Sequence, residues 1–418
     1  MTPVTTEDAA LYPLGLRVEG RRVVVVGGGP VAARRARGLL DARADVLVVA
    51  PDAVTELADL ADSGRLVWER RAYRAGDLDG AWLVHVATGD PAVDAVVAAD
   101  AEAQRTWCVT AGDAALASAW TPAVARTTLD DGAPVTVAVN AGGDPGRARA
   151  VRDAVASALD AGELPVRATR RRPGTGSVAL VGGGPGADGL LTVRGRRLLA
   201  QADVVVVDRL APRGVLADLA PDVEVVDVGK TSGHHPVPQD EINRVLVDRA
   251  LAGHRVVRLK GGDPYVFGRG GEEAEACRAA GVPVEVVPGV TSAVAVPAAA
   301  GIPVTHRGLA RGFTVLTGHE SVGAVPAAPD HTLILLMGVS HLAATADALV
   351  AHGRSADTPA AVVEDGYGSR FRTTVATLGT LARTVEEAGV RPPAVVVVGD
   401  VVTLSPAWRE HYEPGRVS

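Results

Sequence analysis

Short apolar runs, rich in valine, alternate along the chain with longer segments rich in alanine, arginine and leucine. Such runs occupy residues 23–26, 46–49, 204–207, 256–259, where Arg258 interrupts the run, and 395–398. A run that is apolar at successive positions suits a parallel strand buried on both faces, and the longer segments suit the helices that connect such strands. The pattern predicts an α/β fold throughout.

Two segments open in the same way. Arg22 is followed by VVVVGGGP and Ser177 by VALVGGGP. Because the sequences after the two glycine loops differ, we interpret them as two independent strand–loop–helix units rather than a repeat. Between them, residues 162–176 combine proline, glycine and an arginine run, which is typical of a linker. We therefore predict domains at 1–161 and 177–418, the second with lobes at about 177–305 and 306–418.

Length, charge and cysteine content exclude several classes of protein. A chain of 418 residues is too long for one ordinary core, and a net charge of −7 with both signs mixed argues against a nucleic-acid partner. We expect no membrane span, because no long apolar stretch is free of charges or helix breakers, and no signal peptide at the start. Cys108 and Cys277 form neither a disulfide framework nor a zinc motif, which fits a reducing cytoplasm.

The first glycine loop predicts a dinucleotide site. The strand at 23–26 leads into Gly27, Gly28, Gly29, Pro30 and Val31, which match the G-x-G-x-x-A pattern with Ala32. Glycine lets the backbone approach a pyrophosphate, which lies at the helix N-terminus. Pro51 and Asp52 follow the next strand, and Asp52 lies about 20 residues beyond the loop, where a carboxylate binds a ribose hydroxyl. With no arginine beside it, NAD is favoured over NADP.

A second carboxylate, Asp113, follows the predicted strand in WCVTAGD at 107–113. It is a candidate acid–base or metal-contacting group. It is equally suited to cap the helix that the alanine-rich segment after it predicts. The residues alone leave both interpretations open.

The first half resembles precorrin-2 dehydrogenase/sirohydrochlorin ferrochelatase over about residues 10–155. The resemblance rests on GGGPVAARRARGLLDARADVLVVAP, on the ATGD strand end and on VAVNAGGDPGRARAVRD. It implies NAD-dependent oxidation followed by ferrous iron insertion, with nucleotide contacts from Gly28 to Val31 and from Pro51 and Asp52. In a gap-free alignment Gly112, not Asp113, matches the important aspartate of that family, and the helical dimerisation segment is short. These departures favour NAD binding over oxidation, and oxidation over iron insertion.

The second half carries a denser set of motifs. In chain order they are VGGGPGAD at 181–188, VDRL at 207–210, VGK at 228–230, HPVPQDEIN at 235–243, VRLKGGDPYVFGRG at 257–270, VPGVTS at 287–292, GIPVTHR at 301–307, LMG at 336–338 and VEDG at 363–366. As a set they resemble uroporphyrinogen-III C-methyltransferase over about residues 177–405. The linked halves are similar to siroheme synthase, the fused enzyme.

This resemblance implies S-adenosylmethionine as methyl donor and assigns roles to individual residues. Asp208 is the implied proton acceptor and Lys230 the implied proton donor. Lys230 and Lys260 are the only lysines among the 42 basic residues, and lysine, unlike arginine, can give up its proton. The implied cofactor contacts are Pro185, Gly261, Gly262, Asp263, Val266, Thr291, Ser292, Met337 and Gly366.

The implied substrate carries many carboxylates, so we expect arginines in the cleft, with Arg307 and Arg209 as candidates. The expected product is precorrin-2. The first half then oxidises it to sirohydrochlorin and inserts ferrous iron. Two alternatives stay open. The first half is a non-catalytic NAD-binding or dimerisation module, or the methylase acts on a later cobalamin precursor. We expect a homodimer that binds neither nucleic acid nor membranes.

Overall fold

The computed structural model describes residues 11–129, 132–164, 166, 174, 176–229, 237–318 and 322–412. The chain divides into two compact units, Met1–Ala156 and Ser157–Ser418. Most of the predicted linker at 162–176 lies outside the described residues. In the part of the chain that is described, no helix has the length and apolar character that crossing a membrane requires.

The first unit is built on a parallel sheet with strand order β3-β2-β1-β4-β5. The strands are β1 (Arg22–Val26), β2 (Asp45–Val49), β3 (Val67–Glu69), β4 (Leu83–Val86) and β5 (Trp107–Thr110). The connecting helices are α1 (Pro30–Asp41), α2 (Thr55–Asp62) and α3 (Pro91–Gln104). From β1 the chain adds β2 and β3 on one side of the sheet, and it then returns to add β4 and β5 on the other side. The crevice between β1 and β4 is therefore the place where such sheets bind ligands.

Alternation along β1 explains how the sheet is covered on both faces. Val23 and Val25 pack into the core that contains α1 and α2, whereas Val24 and Val26 pack into the core that contains α3. An apolar run suits this position because neither face of the strand is exposed to solvent. The prediction of a Rossmann-like parallel sheet is confirmed.

The rest of the first unit is an antiparallel hairpin and a helix. The hairpin consists of β6 (Ala123–Thr128) and β7 (Pro134–Val139). Helix α4 (Pro145–Ala161) follows, and the division between the two units falls within it. Among the described residues of α4, only Ala148 is buried.

The second unit opens with another parallel sheet, in the order β10-β9-β11-β8-β12. Its strands are β8 (Ser177–Gly182), β9 (Val204–Val207), β10 (Glu224–Asp227), β11 (Arg255–Lys260) and β12 (Val284–Val287). The helices that follow the strands are α5 (Val193–Ala200), α6 (Gln239–Leu251), α7 (Gly270–Ala279) and α8 (Ser292–Ala299). Because the strands are parallel, the loops after them gather at one edge of the sheet.

A third sheet, in the order β13-β14-β17-β15-β16, completes the second unit. Its strands are β13 (Gly312–Thr317), β14 (His331–Leu336), β15 (Pro359–Glu364), β16 (Arg372–Thr377) and β17 (Ala394–Val398). Helices α9 (Leu342–Ala351), α10 (Leu378–Glu387) and α11 (Pro406–Tyr412) accompany it.

The third sheet is mixed, which corrects one detail of the sequence interpretation. The valine run at 395–398 predicts a parallel strand, but β17 is antiparallel to both of its neighbours, β14 and β15. The run is apolar because Val396 to Val398 are buried on both faces of a central strand. Burial on both faces selects the residue types, and it does not fix the direction of the strand.

Candidate active sites

The first candidate site is the glycine loop between β1 and α1. Gly27 has a φ of +122°, and a Cβ atom at Gly28 would overlap the carbonyl oxygen of Asp52. Gly28 also accepts a hydrogen bond from Val54 N at 2.8 Å, so the loop after β2 lies directly against the first glycine loop. The structure therefore brings together Gly28 and Asp52, which are far apart in sequence.

The start of α1 fits a bound pyrophosphate. Gly29 is the N-cap residue, Pro30 is the first helical residue, and no side chain caps the helix. A Cβ atom at Gly29 would have no heavy atom within 4 Å, so the space beside this loop is open. Uncapped N–H groups at a helix N-terminus favour an anion. Pro51, Asp52 and Val31 are exposed around this opening.

Asp113 acts as a cap in the structure. Its Oδ1 accepts a hydrogen bond from Ala115 N at 2.8 Å, at the start of a short 3₁₀ helix over Ala114–Leu116. The carboxylate is exposed. Within the described ranges, no group of three or more His, Cys, Asp and Glu side chains could hold a metal ion. The structure thus confirms the capping interpretation, and a role for Asp113 in proton transfer or metal contact stays a prediction.

The second candidate site is a set of glycine loops at the C-terminal edge of the first sheet of unit two. Gly184 and Gly262 form an isolated backbone bridge, with Gly262 N donating to Gly184 O at 2.6 Å. A Cβ atom at Gly289 would overlap the carbonyl oxygen of Gly262. These loops approach backbone to backbone, which only glycine permits. Pro185, Gly261 and Asp263 adjoin these positions.

Asp208 lies beside the same loops, at the end of β9. Its Oδ1 is 3.2 Å from the donor Leu210 N and 3.4 Å from Gly261 N. Its Oδ2 is 3.6 Å from Nη2 of Arg258, and its side chain is 27% exposed. A carboxylate offers about four lone-pair positions, so Asp208 keeps acceptor capacity toward a ligand while the backbone fixes its orientation.

A buried ionic network lies behind Asp208, and the sequence analysis missed it. Glu273 on α7 is fully buried, and its Oε1 accepts from Arg258 Nε and Lys260 Nζ, each at 3.0 Å, and from Gln239 Nε2 at 3.3 Å. Burial, and then the neighbouring Arg258, lower the pKa of Lys260. The available signal was β11 itself, where Arg258 and Lys260 occupy alternate positions among the apolar residues Val256, Val257 and Leu259.

Asp263 is oriented by backbone groups. Its Oδ1 accepts from Tyr265 N at 2.8 Å and its Oδ2 from Gly289 N at 3.0 Å, so it fastens the loop after β11 to the loop after β12. Thr291 is the N-cap residue of α8, and Ser292 Oγ lies 3.5 Å from the position of a Cβ at Gly262. The structure therefore brings Asp263, Thr291 and Ser292 together.

The third sheet contributes two further loops. A Cβ atom at Gly366 would lie 2.8 Å from both methyl groups of Val296 on α8, and Tyr367 Oη donates to Ala295 O at 3.2 Å. Met337 follows β14, which packs against α8, and is 53% exposed. Val266, on the loop after β11, is also exposed.

Five of the seven non-glycine residues with positive φ in the described part of the chain lie in these loops. They are Phe267 (+53°) and Arg269 (+58°) after β11, Met337 (+56°) after β14, and Asp365 (+47°) and Tyr367 (+68°) after β15. Each such residue is unfavourable by about 1–3 kcal/mol, and backbone strain of this kind concentrates at ligand sites. The strain is consistent with a binding site between these loops.

Three predicted residues stand apart from this description. Arg209 and Arg307 are exposed, and neither has a hydrogen-bond or ion-pair partner among the described residues. Lys230 lies outside the described residues.

Comparison with known proteins identifies the class of each half. Residues 177–382 match the family of Tetrapyrrole (Corrin/Porphyrin) Methylases. Residues 14–123 match the family described as "Putative NAD(P)-binding". The native form of uroporphyrin III C-methyl transferase from Thermus thermophilus is 43% identical, covers 55% of this chain and 94% of its own, and superposes with a TM-score of 0.48. The two family matches define a tetrapyrrole methylase unit preceded by an NAD(P)-binding unit.

Relatives that span both halves identify the family. A siroheme synthase of Chromobacterium violaceum is 38% identical over 97% of this chain and 98% of the relative. One of Pseudomonas fluorescens is 40% identical over 95% of this chain and 98% of the relative. The chain belongs to the siroheme synthase family.

Proposed function

We propose that the chain methylates uroporphyrinogen III at two carbon positions to give precorrin-2. It then oxidises precorrin-2 with NAD to sirohydrochlorin and inserts ferrous iron to give siroheme. The observation that carries the proposal is the position of Asp208, a partly exposed carboxylate fixed against the glycine loops of a tetrapyrrole methylase unit.

The methylation requires positioning and proton transfer rather than a protein nucleophile. S-adenosylmethionine supplies an electrophilic methyl group, and the attacking atom is an electron-rich pyrrole carbon. The protein must align the two and move protons as the ring rearranges. Asp208 serves as the proton acceptor, since its backbone donors orient it and leave lone pairs toward the site. Lys230 serves as the proton donor.

The loops around Asp208 supply the methyl donor's site. The supporting observation is that loops from two sheets approach α8, at Ser292 and at Ala295 and Val296. We assign contacts with this cofactor to Pro185, Gly261, Gly262, Asp263, Val266, Thr291, Ser292, Met337 and Gly366. Arg209 and Arg307 bind carboxylates of the substrate, because both guanidinium groups are exposed and have no partner in the described part of the chain.

The first unit binds NAD at the β1–α1 loop. The open space at Gly29, the uncapped start of α1 and the proximity of Asp52 to Gly28 support this assignment. Gly27, Pro30, Val31 and Pro51 complete the assigned cofactor contacts. Asp113 is assigned to proton transfer and iron contact, since its Oδ2 is free of the capping bond that Oδ1 makes.

The experiment adds uroporphyrinogen III, S-adenosylmethionine, NAD and ferrous iron in turn to the full chain. Absorbance spectra after each addition show which steps occur. Asp208→Asn should abolish the first spectral change, because the amide cannot accept the proton. Near-normal turnover by this variant removes Asp208 from the mechanism.

The role of Lys230 is tested by a matched pair of variants. Lys230→Arg keeps the positive charge but cannot release its proton, so methylation should be lost although S-adenosylmethionine still binds. Arg249→Lys, an exchange between cations in a surface ion pair with Glu224, should retain activity. Equal activity of the two variants contradicts the assignment.

One observation favours a second function for the first unit. Gly112 has no side chain, and Asp113 is engaged as a cap. The unit would then bind NAD without oxidising the tetrapyrrole. NADH formation on addition of precorrin-2 excludes this alternative, and NAD binding with no NADH formation supports it.

We also propose a homodimer in the cytoplasm with the two activities in residues 1–161 and 177–418, joined at 162–176. The exposed Val151 on α4 supports dimerisation, since a second copy could cover it.

The cysteines support the cytoplasmic location. Cys108 and Cys277 are free and buried, and burial raises the pKa of each thiol to about 11. Sedimentation, cell fractionation and limited proteolysis of the full chain test the three statements.

A further inference from the structure

A small pocket in the first unit has no role in the function proposed above. It lies at the C-terminal ends of β4 and β5, where Ala87 and Ala111 follow the strands, and Val31 and Arg35 of α1 form its wall. His85 on β4 also lines it. Its empty volume is about 170 Å³, including space open to solvent. Because part of that volume is open solvent, the pocket leaves room for no more than the polar end of one substituent of a larger ligand.

Two polar side chains face this pocket without partners. His85 is only 7% exposed, yet no described residue hydrogen-bonds to its ring, and Arg35, partly buried beside it, forms neither a hydrogen bond nor an ion pair with any described residue. A guanidinium group and an imidazole N–H that have no protein partner keep their donors for a group from outside the chain. The pocket lined by Arg35 and His85 is the place where such a group can bind.

The charge of the pocket defines that partner. None of the described residues that line it is acidic, and Arg35 gives it a positive charge. Burial and the nearby Arg35 lower the pKa of His85 to about 4, so its ring is neutral at pH 7 and offers one N–H donor. A guanidinium fork with an N–H donor beside it suits an oxyanion.

The location favours a carboxylate of the substrate over a phosphate of the cofactor. The pyrophosphate belongs at the start of α1, near Gly29, and the adenosine half lies toward Asp52 after β2. The pocket lies on the opposite side of β1, at β4 and β5. We propose that Arg35 and His85 bind one carboxylate arm of the tetrapyrrole in the first unit, an inference that rests on the proposed function for the identity of the ligand.

The test titrates the full chain with sirohydrochlorin, with its methyl ester and with NADH. Because the second unit can also bind tetrapyrroles, binding is followed through the ¹³C-labelled ring of His85, whose signal is assigned with a His85→Asn variant. Arg35→Gln should weaken sirohydrochlorin binding about 10-fold or more, and leave the ester and NADH unchanged. Arg34→Gln, the same change at an exposed neighbour on α1, should have an effect within about twofold.

Three results overturn the proposal. If Arg35→Gln weakens NADH as much as sirohydrochlorin, the oxyanion is a phosphate of the cofactor. If Arg35→Gln and Arg34→Gln behave alike, or the wild type shows no response at His85, the pocket binds no carboxylate. Arg35→Lys, which keeps the charge without the planar fork, should fall between wild type and Arg35→Gln.

The outcome is separable from that of the proposed oxidation. If the wild type binds sirohydrochlorin through Arg35 but forms no NADH from precorrin-2, the oxidation fails and the carboxylate site stands. If Arg35→Gln oxidises precorrin-2 with an unchanged KM, the site fails and the oxidation stands.

Discussion

Replacing Glu273 by glutamine tests whether the buried network behind Asp208 is electrostatically balanced. Glu273 is fully buried, and the side chains of Arg258 and Lys260 are 4% and 5% exposed. The substitution removes the carboxylate that both cations share and leaves its size almost unchanged. Removing one partner of a buried ion pair costs about 3–5 kcal/mol, because the remaining charge is uncompensated.

We expect a value near the lower limit, about 3 kcal/mol. The pKa of Lys260 is already lowered by burial and by Arg258, while Glu273 acts in the opposite direction. Without Glu273, Lys260 can lose its proton, which removes one of the two uncompensated charges. The cost is then a large part of the about 5–15 kcal/mol that stabilises a typical domain.

The assay is hydrogen exchange of the full chain, read by mass spectrometry on peptides from β11 and α7. Local exchange is suitable because a chain of two units does not unfold in one two-state transition. Glu272→Gln is the matched control. Glu272 pairs with Arg269, both are more than half exposed, and such surface pairs contribute about 0–1 kcal/mol.

A double variant separates charge from packing. Adding Lys260→Met to Glu273→Gln replaces the desolvated amine by an apolar side chain, so protection should increase relative to Glu273→Gln alone. The reasoning is refuted if Glu273→Gln loses no more protection than Glu272→Gln, or if the double variant loses the sum of the two single effects.

Three further predictions concern the first unit. Gly29→Ala should change the free energy of unfolding by no more than about 0.5 kcal/mol, because the added Cβ meets no heavy atom within 4 Å. A fluorescence titration should nevertheless show weaker NADH binding, and an unchanged affinity contradicts the placement of the pyrophosphate. The pKa of His85 is lowered to about 4, so between pH 6.5 and 4 the unfolded state binds more protons, and folding should lose up to about 3 kcal/mol as pH falls through this range. Hydrogen exchange of peptides from β4 across that range should show a larger loss of protection in wild type than in His85→Asn, and parallel curves contradict this prediction. Asp113→Ala should lower the free energy of unfolding by about 1 kcal/mol, because the helix cap is lost. Asp113→Asn should keep the melting temperature but lose the oxidation of precorrin-2. If Asp113→Asn is active, proton transfer by this carboxylate is excluded.

Features set by a few neighbouring residues could be predicted from the sequence. The segment around Gly27 to Gly29 predicts a strand, a turn and a helix in succession, and the structure confirms all three. The proximity of Gly28 and Asp52 also follows, because adjacent parallel strands end at the same edge. In the second half, each motif likewise predicts the loop in which it lies from its own few residues.

Features that depend on contacts across the fold could not be predicted. Glu273 lies in the acidic, outwardly ordinary segment GGEEAE, and only the packing of α7 on β11 makes it the shared partner of two cations. Both oxygens of Asp263 bond to backbone N–H groups, although the motif favours a ligand contact. The direction of β17 could not be predicted for the same reason. The neighbouring strands determine the direction of a strand, and its own composition does not.

The reversed direction of β17 determines the spacing of two loops. Since β14 and β15 are both antiparallel to β17, they run in the same direction and end at one edge, with β17 between them. Neighbouring strands are about 4.8 Å apart, so the backbones leading to Met337 and Gly366 leave the sheet roughly 10 Å apart. The inverted β17 thus serves as a spacer that holds the starting points of these two loops one strand apart.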